Sequence, residues 1–103
     1  MRITQRQRQA ILVAARRAFG HDVSVRLFGS RTNDELKGGD FDLYVECDSK
    51  DAEWLIQAKM KFLCELDKST VLTGEKIDIV LATPLHREPR KIDQVARHEG
   101  VRL

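Results

Sequence analysis

Three aspartates of the sequence lie in segments with the pattern of β-strands, where a charged side chain is costly to place. Asp40 and Asp42 are separated by one residue in DFDLYVEC, and Asp78 lies between two isoleucines in KIDIVLA. Burying a carboxylate is unfavourable unless something compensates for the lost hydration. Side chains alternate along a strand, so Asp40 and Asp42 share a face. With Asp78 on a neighbouring strand, the three are expected to bind a hard divalent cation, for which Mg²⁺ is the natural candidate.

Such a cluster is suited to chemistry at phosphorus. Two metal ions about 3.5 to 4 Å apart stabilise both the attacking and the leaving oxygen of an in-line displacement. Gly29 and Ser30 follow a predicted strand and supply the complementary half of a site, because glycine lets backbone N–H groups approach phosphate oxygens and serine adds a hydroxyl donor. Arg31 comes next and could reach a phosphate, although a local ion pair with Asp34 or Glu35 explains it almost as well.

Each feature alone also has an ordinary structural explanation. A Gly-Ser pair occurs in turns, Asp40 and Asp42 can flank a hairpin, and Asp78 can pair with Lys76. Tyr44 and Glu46 continue the acidic strand face and are interpreted as rim residues of the site. It is the combination of the Gly-Ser pair with three aspartates in strand contexts that favours a functional site over coincidence.

The elements that must position these residues alternate between helix and strand. Thr4 with Gln7 predicts a capping box, and Gly20 predicts the end of the first helix. The predicted helices span 4–19, 51–67 and a short segment before Gly100, and the predicted strands span 23–28, 40–47 and 76–82. The second helix carries the apolar stripe Leu55, Ile56, Met60, Phe62, Leu63 and Leu66. It is long enough to connect two parallel strands, so the pattern predicts an α/β class.

The composition fits one domain over residues 1–103. Hydrophobic residues make up 42% and charged residues 33% of the chain, which excludes disordered and fibrous classes. No apolar run is long enough for a membrane span, and a cytoplasmic location is expected. Cys47 and Cys64 lack metal-site spacing and are expected to be reduced and buried.

The net charge of the chain is +2, which is too weakly basic on its own to indicate a nucleic-acid partner. The first helix is rich in arginine. A charged helix face of this kind is usually solvated, and binding to RNA or to an acidic partner is the minority interpretation. Trp54 could stack on a base, but an aromatic residue on an amphipathic helix more often belongs to a core or an interface.

The segment LFGSRTNDELKGGDFDLYVE followed by KIDIVL resembles the signature of the DNA polymerase β nucleotidyltransferase superfamily, and most resembles its minimal nucleotidyltransferases. The resemblance implies a two-layer α+β fold, in which helices cover a small mixed sheet of three or four strands. It also implies that Gly29 and Ser30 hold the triphosphate of ATP. Asp40 and Asp42 would bind two Mg²⁺ ions, and Asp78 would bind one of them and help to deprotonate the acceptor hydroxyl.

Minimal nucleotidyltransferases are usually paired with a small helical HEPN protein, as antitoxin and toxin of a type VII pair. Some transfer AMP onto a tyrosine of that partner, and the short chain favours an acceptor in another molecule. The resemblance therefore implies a Mg²⁺-dependent transfer of AMP from ATP to a HEPN toxin. Two alternatives remain open, namely transfer to a nucleic-acid or small-molecule hydroxyl, and an antitoxin that neutralises its partner by binding alone.

Overall fold

The described residues form a four-stranded mixed β-sheet with three α-helices. The computed structural model describes residues 3–29, 40–86 and 90–103. The helices are α1 (Gln5–Phe19), α2 (Ala52–Asp67) and α3 (Lys91–Glu99), with a 3₁₀ turn at Thr70–Leu72, and the strands are β1 (Ser24–Phe28), β2 (Phe41–Glu46), β3 (Ile77–Ala82) and β4 (Val101–Arg102). The strand order is β3-β2-β1-β4. Strand β1 is antiparallel to β2 and β4, whereas β2 and β3 are parallel across the α2 crossover, which confirms the predicted α+β fold with a mixed sheet.

Local sequence signals set the limits of the helices. At the start of α1 the Gln7 backbone N–H donates to the Thr4 hydroxyl at 3.0 Å, and the Thr4 N–H donates to the Gln7 side chain at 3.1 Å. This reciprocal pair is the predicted capping box. At the other end, Gly20 has a φ of +99°, a conformation that glycine adopts without a steric penalty. Helix α2 begins after Asp51, whose carboxylate accepts from the Trp54 N–H at 3.1 Å.

The two faces of the sheet bury different sets of residues. Phe41, Leu43 and Val45 of β2 point to one face, where α1 and α2 pack and the larger core forms. On the opposite face Phe28, Tyr44 and Ala96 form a smaller core beneath α3. Because strand side chains alternate, Asp42 belongs to this second face. The helix pair therefore buries the apolar side of β2, and the aspartates lie on the other side.

Half of the apolar stripe predicted for α2 faces solvent. Leu55, Phe62 and Leu66 are buried as predicted, with Ala58 beside them. The prediction is wrong for the other three residues of the stripe. Ile56 is 63% exposed, Met60 62% and Leu63 41%. Helical periodicity marks both flanks of the helix as apolar, whereas contact with α1 and the sheet buries only one. Cys64 is also exposed, contrary to the prediction, and Cys47 is partly buried.

Tyr44 is completely buried, so the prediction of a rim position is wrong. Its hydroxyl donates to Asp93 Oδ1 of α3 at 2.7 Å. Arg90, just before α3, donates to the same oxygen at 2.9 Å and also to the Leu81 carbonyl of β3 at 2.8 Å. These bonds tie the start of α3 to two strands.

No helix among the described residues is both long and apolar enough to span a membrane.

The Tyr44–Asp93 contact predicts how stability depends on pH. Hydrogen bonds from Arg90 hold the pKa of Asp93 well below its usual value, and the Tyr44 hydroxyl adds to this effect. A carboxylate with a lowered folded pKa stabilises the fold above its unfolded pKa of about 3.9, and this contribution is lost as the pH falls below that value. Burial and the bond to Asp93 raise the pKa of Tyr44 to about 12, so stability also declines from about pH 10 towards pH 12.

Replacing Asp93 with Asn is expected to lower the free energy of unfolding at neutral pH by about 2 kcal/mol, because a charged partner of Arg90 and Tyr44 is lost. Urea denaturation from pH 7 down to pH 2 measures the effect, which should shrink towards the acid end. Asp48→Asn, an exposed carboxylate beyond β2, is the matched control and should change little. A constant difference between Asp93→Asn and wild type at every pH would contradict the assigned contact.

Candidate active site

Pairing between strands places Asp42 and Asp78 side by side. In the register of the sheet Asp42 lies opposite Phe28 of β1 on one side and opposite Asp78 of β3 on the other. Residues that are direct partners on neighbouring strands point to the same face. Asp40 lies two residues before Asp42, immediately ahead of β2. The parallel crossover therefore brings Asp78 beside Asp42, although the two are far apart in the sequence.

Burial and the negative charges of Asp78 and Asp40 change the pKa of Asp42. Burial raises the pKa of the Asp42 carboxyl above its usual value, and the negative charges of Asp78 and Asp40 raise it further. Asp78 itself is exposed, and the Asp40 side chain is 36% exposed. Asp42 is thus the inner member of a group of carboxylates that repel one another. A bound cation would relieve that repulsion.

Gly29 fits directly against the Asp42 carboxylate. Its φ is +77°, in the left-handed region that favours glycine. A Cβ atom at this position would overlap with Asp42 Oδ2. Both the backbone conformation and the close approach therefore require glycine here. The residue that the sequence predicts as a phosphate contact also shapes the surroundings of the central aspartate.

Lys76 pairs with Asp40 across the entrance to the site, with 3.7 Å between Lys76 Nζ and Asp40 Oδ2. The Lys76 side chain is 75% exposed, and an exposed pair of this kind is worth little energy. The sequence suggests a pair between Lys76 and Asp78, whereas the structure shows Lys76 paired with Asp40. Because the pair is weak, Asp40 can exchange this partner for another cation at little cost.

The donor set fits a hard divalent cation in its chemistry. Carboxylate oxygens are the preferred protein ligands of Mg²⁺, and Asp42 and Asp78 supply them from adjacent strand positions. Within the described residues, no three His, Cys, Asp or Glu side chains form a ready-made group that could hold a metal ion. The backbone thus presents a neighbouring pair of carboxylates, and Asp40 would have to turn from Lys76 to complete the set.

Other predicted site residues do not join this cluster in the part of the chain that the structure describes. Ser30 and Arg31 lie outside the described residues. Trp54 packs edge-on against Phe19, with 6.5 Å between ring centroids, on the opposite face of the sheet from Asp42. It is therefore too remote to stack on a nucleotide bound at the aspartates.

A cavity of about 560 Å³ opens at the far end of the sheet, among residues that include Glu46, Thr83 and Arg97. Glu46 is the last residue of β2 and Thr83 follows the end of β3, whereas the aspartates lie at the beginning of both strands. None of the three aspartates lines the cavity. The cavity is therefore separate from the predicted metal site.

The link from the site to α3 was missed by sequence reasoning. Asp93 and Arg90 hold α3 against Tyr44, two positions along β2 from Asp42. An acidic residue at the third position of a helix is a common capping signal, and Asp93 also accepts from the Arg90 backbone N–H at 2.9 Å. That signal could have located the start of α3, but not its contact with Tyr44.

Comparison with known proteins agrees with the geometry. A family model described as nucleotidyltransferase domain matches residues 9–99, a range that runs from α1 through α3 and contains all three aspartates. Searches of curated proteins and of solved structures gave no significant match. Members of the matched family usually use a nucleoside triphosphate and a divalent metal. With a fold and an aspartate arrangement that suit nucleotidyl transfer, the chain belongs to the nucleotidyltransferase domain family.

Proposed function

We propose that this nucleotidyltransferase moves AMP from ATP to a hydroxyl of a HEPN-type toxin protein and acts as the antitoxin of that pair. The observation that carries the transfer chemistry is the pairing of Asp42 with Asp78 on adjacent parallel strands. The choice of ATP and of the HEPN acceptor rests on the resemblance to minimal nucleotidyltransferases in the Gly-Ser and aspartate segments. The family match supports nucleotidyl transfer in general.

The openness of the site supports a macromolecular acceptor. Asp78 is exposed, and three cavities among the described residues, of about 260, 560 and 600 Å³, are lined by none of the three aspartates. A small-molecule acceptor is usually enclosed by a pocket that buries most of its surface. An exposed aspartate edge instead suits an acceptor that brings its own surface, such as a folded protein presenting a tyrosine.

In the proposed reaction the acceptor oxygen attacks the α-phosphorus of ATP, the bond between the α- and β-phosphates breaks, and pyrophosphate leaves with the bonding electrons. Asp78, as the exposed carboxylate, accepts the proton of the attacking hydroxyl. Gly29 leaves room for the Asp42 carboxylate beside the bound phosphates. Asp40, Asp42 and Asp78 would hold two Mg²⁺ ions, which would stabilise charge on the attacking and leaving oxygens.

Radiolabel transfer tests this function. The protein is mixed with Mg²⁺ and a purified HEPN protein encoded beside its gene, together with ATP labelled at the α- or at the γ-phosphate. Label is expected on the HEPN protein from α-labelled ATP only, and mass spectrometry should find AMP on a tyrosine. Absence of label on the HEPN protein while pyrophosphate is still released would overturn the choice of acceptor and favour another hydroxyl.

A second arm separates catalysis from binding. The double variant Asp40→Asn, Asp42→Asn keeps nearly the same side-chain shape but has poor metal ligands. It is expected to lose both transfer and neutralisation of the toxin. If this variant still neutralised the HEPN protein with no transfer, the enzyme hypothesis would give way to an antitoxin that acts by forming a complex.

A further inference from the structure

Helix α1 carries a basic ridge on its solvent side. The helix contains four arginines and no acidic residue. Arg6, Gln9, Val13 and Arg16 follow one another at spacings of three and four residues, so they form one line along the helix. All four are exposed, and neither the Arg6 nor the Arg16 side chain has a polar partner among the described residues. The backbone positions of Arg6 and Arg16 are about 15 Å apart along the helix axis.

An exposed aromatic ring lies at one end of this ridge. Trp54 is 39% exposed, while the other five aromatic residues of the chain are buried. Its ring packs edge-on against Phe19 in the last turn of α1, the turn that also carries Arg16 and Arg17. Lys61 lies two helical turns after Trp54 on α2 and is exposed. Cations and an aromatic surface therefore adjoin at the junction of α1 and α2.

Stability of the fold does not account for this arrangement. A cation in the first turn of a helix is unfavourable, because the N-terminal end of the helix dipole is positive. Arg6 occupies such a position, and the first turn of α1 has no acidic residue to offset it. Of the arginines near the other end, Arg17 pairs with Glu65 at 3.3 Å, but its side chain remains 65% exposed. The ridge thus presents positive charge that the described part of the chain does not neutralise.

We propose that the α1 ridge and Trp54 bind a single-stranded polynucleotide, with backbone phosphates on Arg6 and Arg16 and a base stacked on Trp54. Arginine forms paired hydrogen bonds with phosphate oxygens, and base stacking on an aromatic ring tolerates any sequence. A polynucleotide offers a phosphate to each guanidinium group and a base to the Trp54 ring, so it matches both parts of this surface. The surface lies on the opposite side of the sheet from the aspartates, so this binding goes beyond the transfer reaction and does not depend on it.

Because Trp54 is the single tryptophan of the chain, its fluorescence reports directly on stacking. Titration with a short oligouridylate at low ionic strength is expected to quench the emission of Trp54. The logarithm of the binding constant should fall linearly with the logarithm of salt concentration. A protein whose Trp54 emission is unchanged by saturating oligouridylate would overturn the proposal.

Charge variants test the ridge. Arg6→Gln with Arg16→Gln should weaken binding and reduce the salt slope by about 1.4, since each contact to a single strand contributes about 0.7. The matched control is Lys91→Gln with Arg102→Gln, which removes the same charge from two exposed positions on α3 and β4. Equal weakening by both pairs would show attraction by net charge alone and would contradict a site on α1.

Trp54→Leu tests the stacked base. Anisotropy with a fluorescent oligouridylate should show a loss of affinity of about tenfold, with the salt slope unchanged. Circular dichroism checks that the variant folds. If the variant does not fold, quenching of Trp54 in the wild-type protein tests the stacked base instead. Displacement of the oligonucleotide by polyglutamate at equal charge concentration would overturn the proposal in favour of an acidic protein.

Discussion

Replacing Asp42 with Asn is expected to lower the rate of nucleotidyl transfer at least about a hundredfold, the usual effect of removing one preorganised electrostatic group from an active site. The same change should slightly raise the free energy of unfolding at neutral pH. Burial and the charges of Asp78 and Asp40 raise the pKa of Asp42, so the ionised carboxylate destabilises the folded state above its unfolded pKa. Asn keeps the shape of the side chain and removes that charge.

Release of pyrophosphate from ATP and urea denaturation, measured on the same preparations, test the two effects of Asp42→Asn. The matched control Asp48→Asn removes one exposed carboxylate from beyond the other end of β2 and should leave both quantities near wild type. Full activity in Asp42→Asn would contradict the assigned site. A marked loss of stability would instead show that the Asp42 charge supports the fold.

Gly29→Ala is expected to abolish most of the activity and to destabilise the fold. Two costs act at this position. A φ of +77° penalises any residue with a Cβ by about 1 kcal/mol. The new methyl group would also overlap with Asp42 Oδ2, so the central carboxylate must move away from position 29. Displacement of a catalytic group by about 1 Å can cost a hundredfold in rate.

Gly74 provides the matched control for Gly29, because the two glycines share the backbone conformation but differ in surroundings. Gly74 has a φ of +81°, and a Cβ there would meet nothing within 4 Å. Gly74→Ala should therefore show the backbone cost alone, with unchanged activity. Thermal unfolding and pyrophosphate release measure both variants. Equal losses of stability, with full activity in Gly29→Ala, would contradict a close contact between position 29 and the Asp42 carboxylate.

The sequence predicts the parts of the site that depend on local periodicity. Alternation along β2 separates Asp42 from its apolar neighbours Phe41 and Leu43, and a helix of suitable length predicts that the strand bearing Asp78 is parallel to β2. The structure adds their register, with Asp42 directly opposite Asp78.

The remaining features depend on how distant elements pack. The contact between Tyr44 and Asp93 joins positions 49 residues apart, and it exists only where α3 meets the sheet. Likewise, periodicity alone cannot show which flank of α2 is covered, so Ile56 and Met60 were assigned to the core although they are exposed. Strand β4 has only two residues, too few for any alternation to be recognised.

The parallel pairing of β2 with β3 has a consequence for the order in which the protein matures. Strands β1 and β2 can pair as neighbours in the chain, but Asp78 reaches Asp42 only after the whole α2 crossover has docked. Contacts that close long segments of chain form slowly during folding. A partly folded or nascent chain can thus hold Gly29 beside Asp42 before the second carboxylate arrives, so the pair of carboxylates forms only when β3 has joined β2.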